Sequence, residues 1–193
     1  MGKSVNAFLA KAGSLIVELK ERADVSPFIV SELNALFPKV KEAMAKIKEL
    51  ETNIESIAKT LKHYDLFQSA LGVGPITAAT MLVLLCNPEV FKNGREFAAY
   101  IGLAPKSSGS GGKNFVTHIP KKCECNNDVR ALLVQCAHSI CRCKHKSDWV
   151  SSILARKPKK VAIIAIANKL ARQLWIMAKK GEKFEKRFIL AAV

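Results

Sequence analysis

Two glycines lie between two short apolar stretches, and their spacing predicts a helix-hairpin-helix. Leu66 to Leu71 and Ile76 to Leu85 each have the composition of a short helix, and Pro75 suits the first turn of the second one. Gly72 and Gly74 would let the hairpin backbone approach a phosphate, and the following helix N-terminus would offer unpaired N–H groups. Such contacts hold a nucleic-acid backbone without reading its sequence. The alternative is an ordinary glycine-rich turn between two core helices.

A second segment with possible chemistry is the serine and glycine run that precedes Lys113. Its glycines permit conformations in which successive N–H groups face an anion, and its hydroxyls could act as ligands or as a nucleophile. The same composition is typical of a flexible connector, and the run contains no His or carboxylate to activate a serine. We expect an irregular loop over Lys106 to Lys113, followed by either a short strand or irregular structure over Asn114 to Ile119.

Cysteines and histidines form a third group, and it matches a zinc site poorly. Cysteine ligand pairs of structural zinc sites are usually separated by two to four residues, whereas these pairs have one intervening residue. We therefore predict reduced thiols and no metal site in this chain. The residues concerned are Cys123, Cys125, His138, Cys141, Cys143 and His145.

Positive charge is concentrated in the last two thirds of the chain. Lys and Arg number 31 against 16 Asp and Glu, a formal charge of +15, and residues 1–60 are nearly neutral. This asymmetry indicates a polyanionic partner, because each neutralised phosphate releases condensed counterions. For any single Lys or Arg, the alternative is an ordinary solvent-exposed side chain that binds no partner. The basic candidates for DNA binding are Lys113, Lys121, Lys122, Arg130, Lys169 and Arg172.

A coiled-coil seam precedes the glycine hairpin. From Phe37 to Tyr64, apolar residues recur at intervals of three or four, with mixed charges between them. A seam of this kind needs a partner helix, which could be Val5 to Glu21 folded back as a hairpin or the same segment of a second chain. Homo-oligomerisation through the coiled coil is therefore a prediction.

The sequence predicts a mainly α-helical protein with two parts. Residues 1–64 would form the coiled coil or helical hairpin, and residues 65–193 a compact basic helical domain. Further helices are predicted over Arg95 to Tyr100, Asp128 to about Cys143, and Lys160 to Lys180. We expect the last helix to turn a set of apolar residues inward: Val161, Ile164, Leu170, Leu174 and Met177.

No signal peptide or membrane-spanning stretch is visible in the sequence. The apolar residues near Met1 are interrupted by charges, and Val161 to Ala167 stops at Asn168 and Lys169, short of the roughly 18 residues that a span needs. We expect a cytoplasmic, nucleoid-associated protein that does not bind a membrane.

Several motifs in register resemble one family. Gly72 to Ala79, Phe91 to Pro105, Ser110 to Lys113, Arg130 to Gln135 and Ala165 to Arg172 follow in the order found in the C-terminal domain of the IS110 family of insertion-sequence transposases. The resemblance covers residues 66 to 184. The coiled coil before them is similar to the helical linker of that family, in particular of its IS1111 subgroup.

The resemblance implies a DNA recombinase, guided in some members by a structured RNA. Family members pair a RuvC-like domain, whose four acidic residues bind magnesium, with a C-terminal domain that supplies a serine nucleophile. By register that serine is Ser110. Nothing in the sequence corresponds to the acidic domain, so we expect a truncated transposase that holds no magnesium of its own and does not cleave DNA alone.

Two departures from the family pattern bear on the serine segment. Gly109 stands before Ser110, where the family usually has a further serine, and residues 121–127 replace a basic pair followed by glycine. The alternative function is a non-catalytic nucleic-acid-binding oligomerisation module, a relic or regulator of the full-length transposase. A weaker alternative is a coiled-coil interaction protein whose positive charge only aids solubility.

Overall fold

A computed structural model describes residues 2–22, 24–105, 107–110, 113–116, 126–144 and 146–183. The mainly α-helical prediction is confirmed: these ranges contain eight α-helices, one 3-10 helix and one two-stranded hairpin. The chain divides into two compact units, Met1–Asn53 and Ile54–Val193. The elements are α1 (Gly2–Glu21), α2 (Pro27–Lys59), α3 (Tyr64–Gln68), α4 (Pro75–Leu84), the 3-10 helix (Pro88–Val90), α5 (Gly94–Tyr100), β1 (Ser107–Ser110), β2 (Lys113–Val116), α6 (Asn127–Arg142), α7 (Asp148–Arg156) and α8 (Lys159–Lys180).

The first unit is built from α1 and most of α2, which form a helical hairpin. Ser26 precedes α2, and its carbonyl accepts the N–H groups of Ile29 and Val30 at 3.0 and 3.3 Å. Gly13 of α1 faces the ring of Phe37 on α2, so that a Cβ on this glycine would lie 3.4 Å from the ring. The two helices line an apolar groove of about 370 Å³. The structure therefore shows α1 folded back on residues 33–40 of α2, while Ile47, Leu50, Ile54 and Ile57 of the predicted seam are exposed.

The second unit is organised around α8, which is buried along most of its length and packs against α3, α5, α6, α7 and the 3-10 helix. Ala162, Ala167 and Ala171 are fully buried, and their small side chains allow neighbouring helices to approach closely. Leu174 and Met177 are also buried, as predicted. Val161 is exposed, contrary to the prediction, although the next residues Ala162 and Ile163 are buried, so Val161 lies on the open side of the first turn of α8.

A β-hairpin replaces part of the loop expected over Lys106 to Lys113. β1 and β2 pair antiparallel, with Ser107 opposite Val116 and Ser110 opposite Lys113. The sequence between the strands is Gly-Gly, which favours a two-residue hairpin connection. The expectation of an irregular loop was therefore wrong for residues 107–110, and the possible strand after Asn114 is observed from Lys113 to Val116.

Among the described residues, α8 is the one helix whose length and composition would suffice to cross a membrane. Its apolar window is 61% buried inside the second unit. The core helix of a helical domain has the same length and apolar composition, and its apolar residues are covered by the surrounding protein.

Candidate nucleic-acid site

A turn that contains Gly72 and Gly74 joins α3 to α4, where a helix-hairpin-helix was predicted, and its two glycines have different surroundings. Gly72 has a φ of 80° and faces α6. A Cβ at this position would lie 2.7 Å from Ile140 Cγ1 and 2.9 Å from the Cys136 carbonyl oxygen. Gly72 therefore allows the turn to pack against α6, a role that the sequence alone did not reveal.

Gly74, in contrast, borders open space at the N-terminus of α4. It caps the helix with extended backbone angles, and no atom outside its chain neighbours lies within 4 Å of where its Cβ would be. Its carbonyl accepts the Ala78 N–H at 2.9 Å, and Pro75 follows at the first helical position. A helix start of this kind directs unpaired N–H groups and a partial positive charge outward, which suits a phosphate.

The hairpin of β1 and β2 brings two predicted site residues to one register position. Ser110 ends β1, Lys113 begins β2, and the two are Cα partners in the antiparallel pairing. Their side chains, and the whole of Lys121 and Lys122, lie outside the described residues. The backbone therefore places the predicted nucleophile and the predicted phosphate ligand at the same end of one hairpin.

One face of α8 holds the chain segment that leads to this hairpin. The face consists of Asn168, Arg172, Trp175 and Lys179, which we call the α8 stripe. The Lys179 ammonium pairs with the Glu89 carboxylate at 3.2 Å, and the Trp175 Nε1–H donates to the Pro88 carbonyl at 3.0 Å. Together these contacts fix the 3-10 helix on α8.

Further along the stripe, α5 is held at both ends. At its N-terminus Gly94 lies against the Arg172 backbone, where a Cβ would be 3.2 Å from both the Cα and the carbonyl oxygen. After its C-terminus the Leu103 carbonyl accepts a 3.0 Å hydrogen bond from Asn168 Nδ2. The segment from Pro88 to Leu103 thus runs antiparallel to α8 before the chain reaches β1.

The basic residues predicted to bind DNA differ in exposure. Lys169 is only 8% exposed, and its ammonium lies 4.0 Å from the centre of the Trp149 ring. Burial, with a smaller contribution from the Arg172 charge, holds the pKa of Lys169 below its usual value. Arg172 and Arg130 are half-buried, and Arg130 Nη2 donates to Asn127 Oδ1 at 2.9 Å.

A second group of basic residues lies between the end of α6 and the start of α8. We call it the 142–160 cluster: Arg142, Lys144, Lys146, Arg156, Lys157, Lys159 and Lys160. Six of the seven are exposed, Lys146 is half-buried, and none forms an ion pair with a residue in the described ranges. Burial raises the pKa of Cys141, while the nearby charges of Lys146 and Lys159 oppose this shift, which places both lysines near the end of α6.

The cysteine and histidine group does not form a metal site within the described part of the chain. Cys141 and Cys143 are free thiols there, and no three His, Cys, Asp or Glu side chains come together in those ranges. Cys123, Cys125 and His145 lie outside the described residues. Cys136 is buried, with its sulfur 3.5 Å from Thr77 Oγ1, and it joins α6 to α4.

Sequence reasoning missed Asn168 as a site residue. The sequence did contain a signal: Asn168 is a polar residue of low helix propensity, and it directly follows the apolar run Val161 to Ala167. A residue of this type inside a buried helix usually satisfies a specific polar group.

Comparison with known proteins places this basic helical unit among transposases. The model of the Transposase IS116/IS110/IS902 family matches residues 64–150, from the start of α3 to the first turn of α7. The chain belongs to this family, and it is IS1111-like.

Three curated relatives illustrate the match. The putative transposase y4pF/y4sB of Sinorhizobium fredii is 32% identical over 185 residues, which is 91% of this chain and 47% of that protein. The transposase for insertion sequence element IS1328 of Yersinia enterocolitica is 29% identical, over 89% of this chain and 52% of that protein. The transposase for insertion sequence element IS1111A of Coxiella burnetii is 27% identical, over 88% and 47%. The chain spans about half the length of the curated relatives it matches.

Proposed function

We propose that this chain acts in DNA transposition and supplies the serine-bearing, DNA-contacting part of the recombinase, with Ser110 as nucleophile. The observation that carries the proposal is the pairing of Ser110 with Lys113 at the end of the β1–β2 hairpin, within the residues that match the transposase family. A nucleophile and a cation at one register position suit attack on a charged phosphodiester.

The proposed reaction is transesterification at a DNA phosphate. The Ser110 oxygen forms a bond to phosphorus, and one phosphorus–oxygen bond to deoxyribose breaks. The serine hydroxyl loses its proton and the leaving deoxyribose oxygen gains one, so charge and atoms balance. The product is a phosphoserine link that preserves the energy of the broken bond until the strands are rejoined. Lys113 would neutralise part of the charge that develops on the phosphate oxygens.

The described residues of this chain offer no cluster of three His, Cys, Asp or Glu side chains to hold magnesium. The proposal therefore takes no step through a metal ion held here. The acidic residues that the family resemblance implies would come from a separate domain, and the active site would be completed where that domain meets the serine hairpin.

DNA is the proposed polyanionic partner, and a structured guide RNA is the second one proposed. The Gly74 turn would contact a phosphate through the α4 N-terminus, and the exposed lysines and arginines of the 142–160 cluster would follow the backbone. Lys121, Lys122, Arg130 and Arg172 complete the proposed DNA-binding set, whereas Lys169, predicted with them, is buried with its ammonium over the Trp149 ring. Such a protein would work in the cytoplasm, on the nucleoid.

A second copy of the chain is the proposed oligomer partner. Along α2 a row of large apolar side chains is exposed to solvent: Val40, Ile47, Leu50, Ile54 and Ile57. Contiguous exposed apolar surface of this kind is typical of an association face. The same observation supports the second candidate function, a non-catalytic nucleic-acid-binding oligomerisation module.

Complementation in trans tests the catalytic proposal. The purified chain is mixed with a full-length family transposase whose own nucleophilic serine has been replaced by alanine, and strand transfer is measured. We expect the wild-type chain to restore transfer, Ser110→Ala to abolish it, and Ser108→Ala, on the same strand, to retain it. Activity of the Ser110→Ala variant equal to wild type would refute the role of Ser110.

Binding measured across a salt series separates the two candidate functions. Both predict that the logarithm of the DNA association constant falls linearly with the logarithm of salt, with a slope of roughly 0.9 per phosphate contacted. Replacing Lys159 and Lys160 by glutamine should reduce that slope by up to about two. Salt-dependent binding by a wild-type chain that never restores strand transfer would favour the non-catalytic module. Absence of binding at low salt would contradict both.

A further inference from the structure

Asn168 ties α8 by a side-chain hydrogen bond to the chain just before the serine hairpin. Its Nδ2 donates to the Leu103 carbonyl oxygen at 3.0 Å, across 65 positions of sequence. Leu103 is buried, so its carbonyl has little access to water. A buried carbonyl that loses its donor keeps its desolvation cost without compensation.

Leu103 is held on its other side as well. The chain leaves α5 through a tight turn in which Gly102 has a φ of 77°, and the Gly102 N–H donates to the Ala99 carbonyl at 2.8 Å. The Leu103 N–H donates to the Ala98 carbonyl at 2.9 Å. The peptide groups of residue 103 are therefore fixed by α5 through the nitrogen and by α8 through the oxygen.

Only six residues separate Leu103 from Ser110, and the first of them has a restricted backbone. Ala104 precedes Pro105, which limits its backbone to extended conformations, and β1 starts two residues after the proline. Seven residues span at most about 23 Å when extended, so a rotation of 5° at Leu103 displaces the far end by up to about 2 Å. A misplacement of about 1 Å at a reacting atom is enough to slow a reaction by roughly a hundredfold.

We propose that Asn168 is a positioning residue for the reaction of Ser110: through the Leu103 carbonyl it fixes the root of the β1–β2 hairpin on α8. This inference rests on the proposed function, since it takes Ser110 as the reacting group. In this proposal Asn168 acts through Leu103 and not by contact with the DNA.

Hydrogen exchange on the full chain tests the anchor without any reaction. Asn168→Asp keeps the shape of the side chain and removes the N–H donor, and Asn168→Ala removes the bond while favouring the helix. We expect millisecond exchange of amides 103–116 to accelerate by about threefold to tenfold in both variants, with exchange in α6 and the rest of α8 unchanged. The matched control is Asn34→Asp, which removes an amide donor to the Val30 carbonyl on α2 and should leave amides 103–116 at wild-type rates.

Strand transfer in the complementation assay gives the second readout. At saturating DNA, Asn168→Asp should lower the rate by about tenfold or more while changing the DNA dissociation constant by less than about twofold. Unchanged exchange of amides 103–116, or equal acceleration throughout α6 and α8, would overturn the positioning role. If Ser110→Ala retains strand transfer, the proposed function fails, and the exchange experiment still decides whether Asn168 anchors the hairpin.

Discussion

The two glycines of the α3–α4 turn should respond oppositely to the same substitution. In Gly72→Ala the new methyl group meets Ile140 Cγ1 at 2.7 Å and the Cys136 carbonyl oxygen at 2.9 Å, and the backbone keeps a φ of 80°. A left-handed conformation costs a non-glycine residue about 1 kcal/mol, and overpacking a core contact typically adds about 1–3 kcal/mol. The free energy of unfolding should therefore fall by about 2–4 kcal/mol.

Gly74→Ala is the matched control two residues away. This glycine has φ −93° and ψ 173°, which alanine adopts without strain, and no atom lies within 4 Å of the new methyl group. Replacing glycine by alanine at such a site lowers the conformational entropy of the unfolded chain, which raises the free energy of unfolding by up to about 1 kcal/mol. Alanine is a poorer N-cap than glycine, which offsets this gain, so the variant should be about as stable as wild type.

Thermal unfolding followed by circular dichroism measures the difference. With roughly 2–4 °C per kcal/mol for a domain of this size, Gly72→Ala should lower the Tm by about 4–16 °C, and Gly74→Ala should move it by less than about 4 °C. Nucleic-acid binding should instead depend on Gly74. Gly74→Val places a larger side chain over the α4 N-terminus, so this variant should fold but bind nucleic acid more weakly than wild type. A Gly72→Ala variant with wild-type Tm would refute the packing role assigned to Gly72.

Two further predictions concern α5 and α8. Asn93→Ala removes the side-chain oxygen that accepts the Arg95 and Glu96 N–H groups, both at 3.0 Å, and should cost about 1 kcal/mol in urea unfolding; a loss below about 0.3 kcal/mol would contradict the cap. Lys169 has a lowered pKa in the folded state, so the unfolded chain binds more protons as the pH rises towards the usual lysine value, and folding gains stability over that alkaline range. Lys169→Met should remove this gain, and identical pH profiles of unfolding free energy for the two proteins would show that burial does not perturb Lys169.

Much of the helical fold could be predicted because its signals are local. Pro75 begins α4, and Gly102 ends the turn after α5 with a positive φ, as the residue types indicate, whereas Asn93, which was expected in a turn, caps α5. The spacing of apolar residues from Phe37 to Tyr64 similarly predicted the long helix, although α2 ends at Lys59, before the end of the predicted seam. Capping, periodicity and glycine conformation each depend on a few neighbouring residues, so they can be evaluated from sequence.

The serine segment was harder to predict because its composition supports two structures. A run of serine and glycine has few side chains to pack, so its strand pairing depends on register and on the Gly-Gly connection more than on propensity. The family resemblance, not the composition, singled out Ser110. The structure adds that Lys113 is its partner in the pairing.

The sequence by itself determined the helical class, the positions of most helices, the family and the uneven distribution of charge. Tertiary structure alone decided which glycine of the hairpin is packed and which is open, because that depends on α6, more than 60 residues away from the turn. It also buried Lys169 against Trp149 and joined Asn168 to Leu103. These outcomes follow from contacts between segments distant in sequence, and such contacts leave no periodic or local pattern from which they could be predicted.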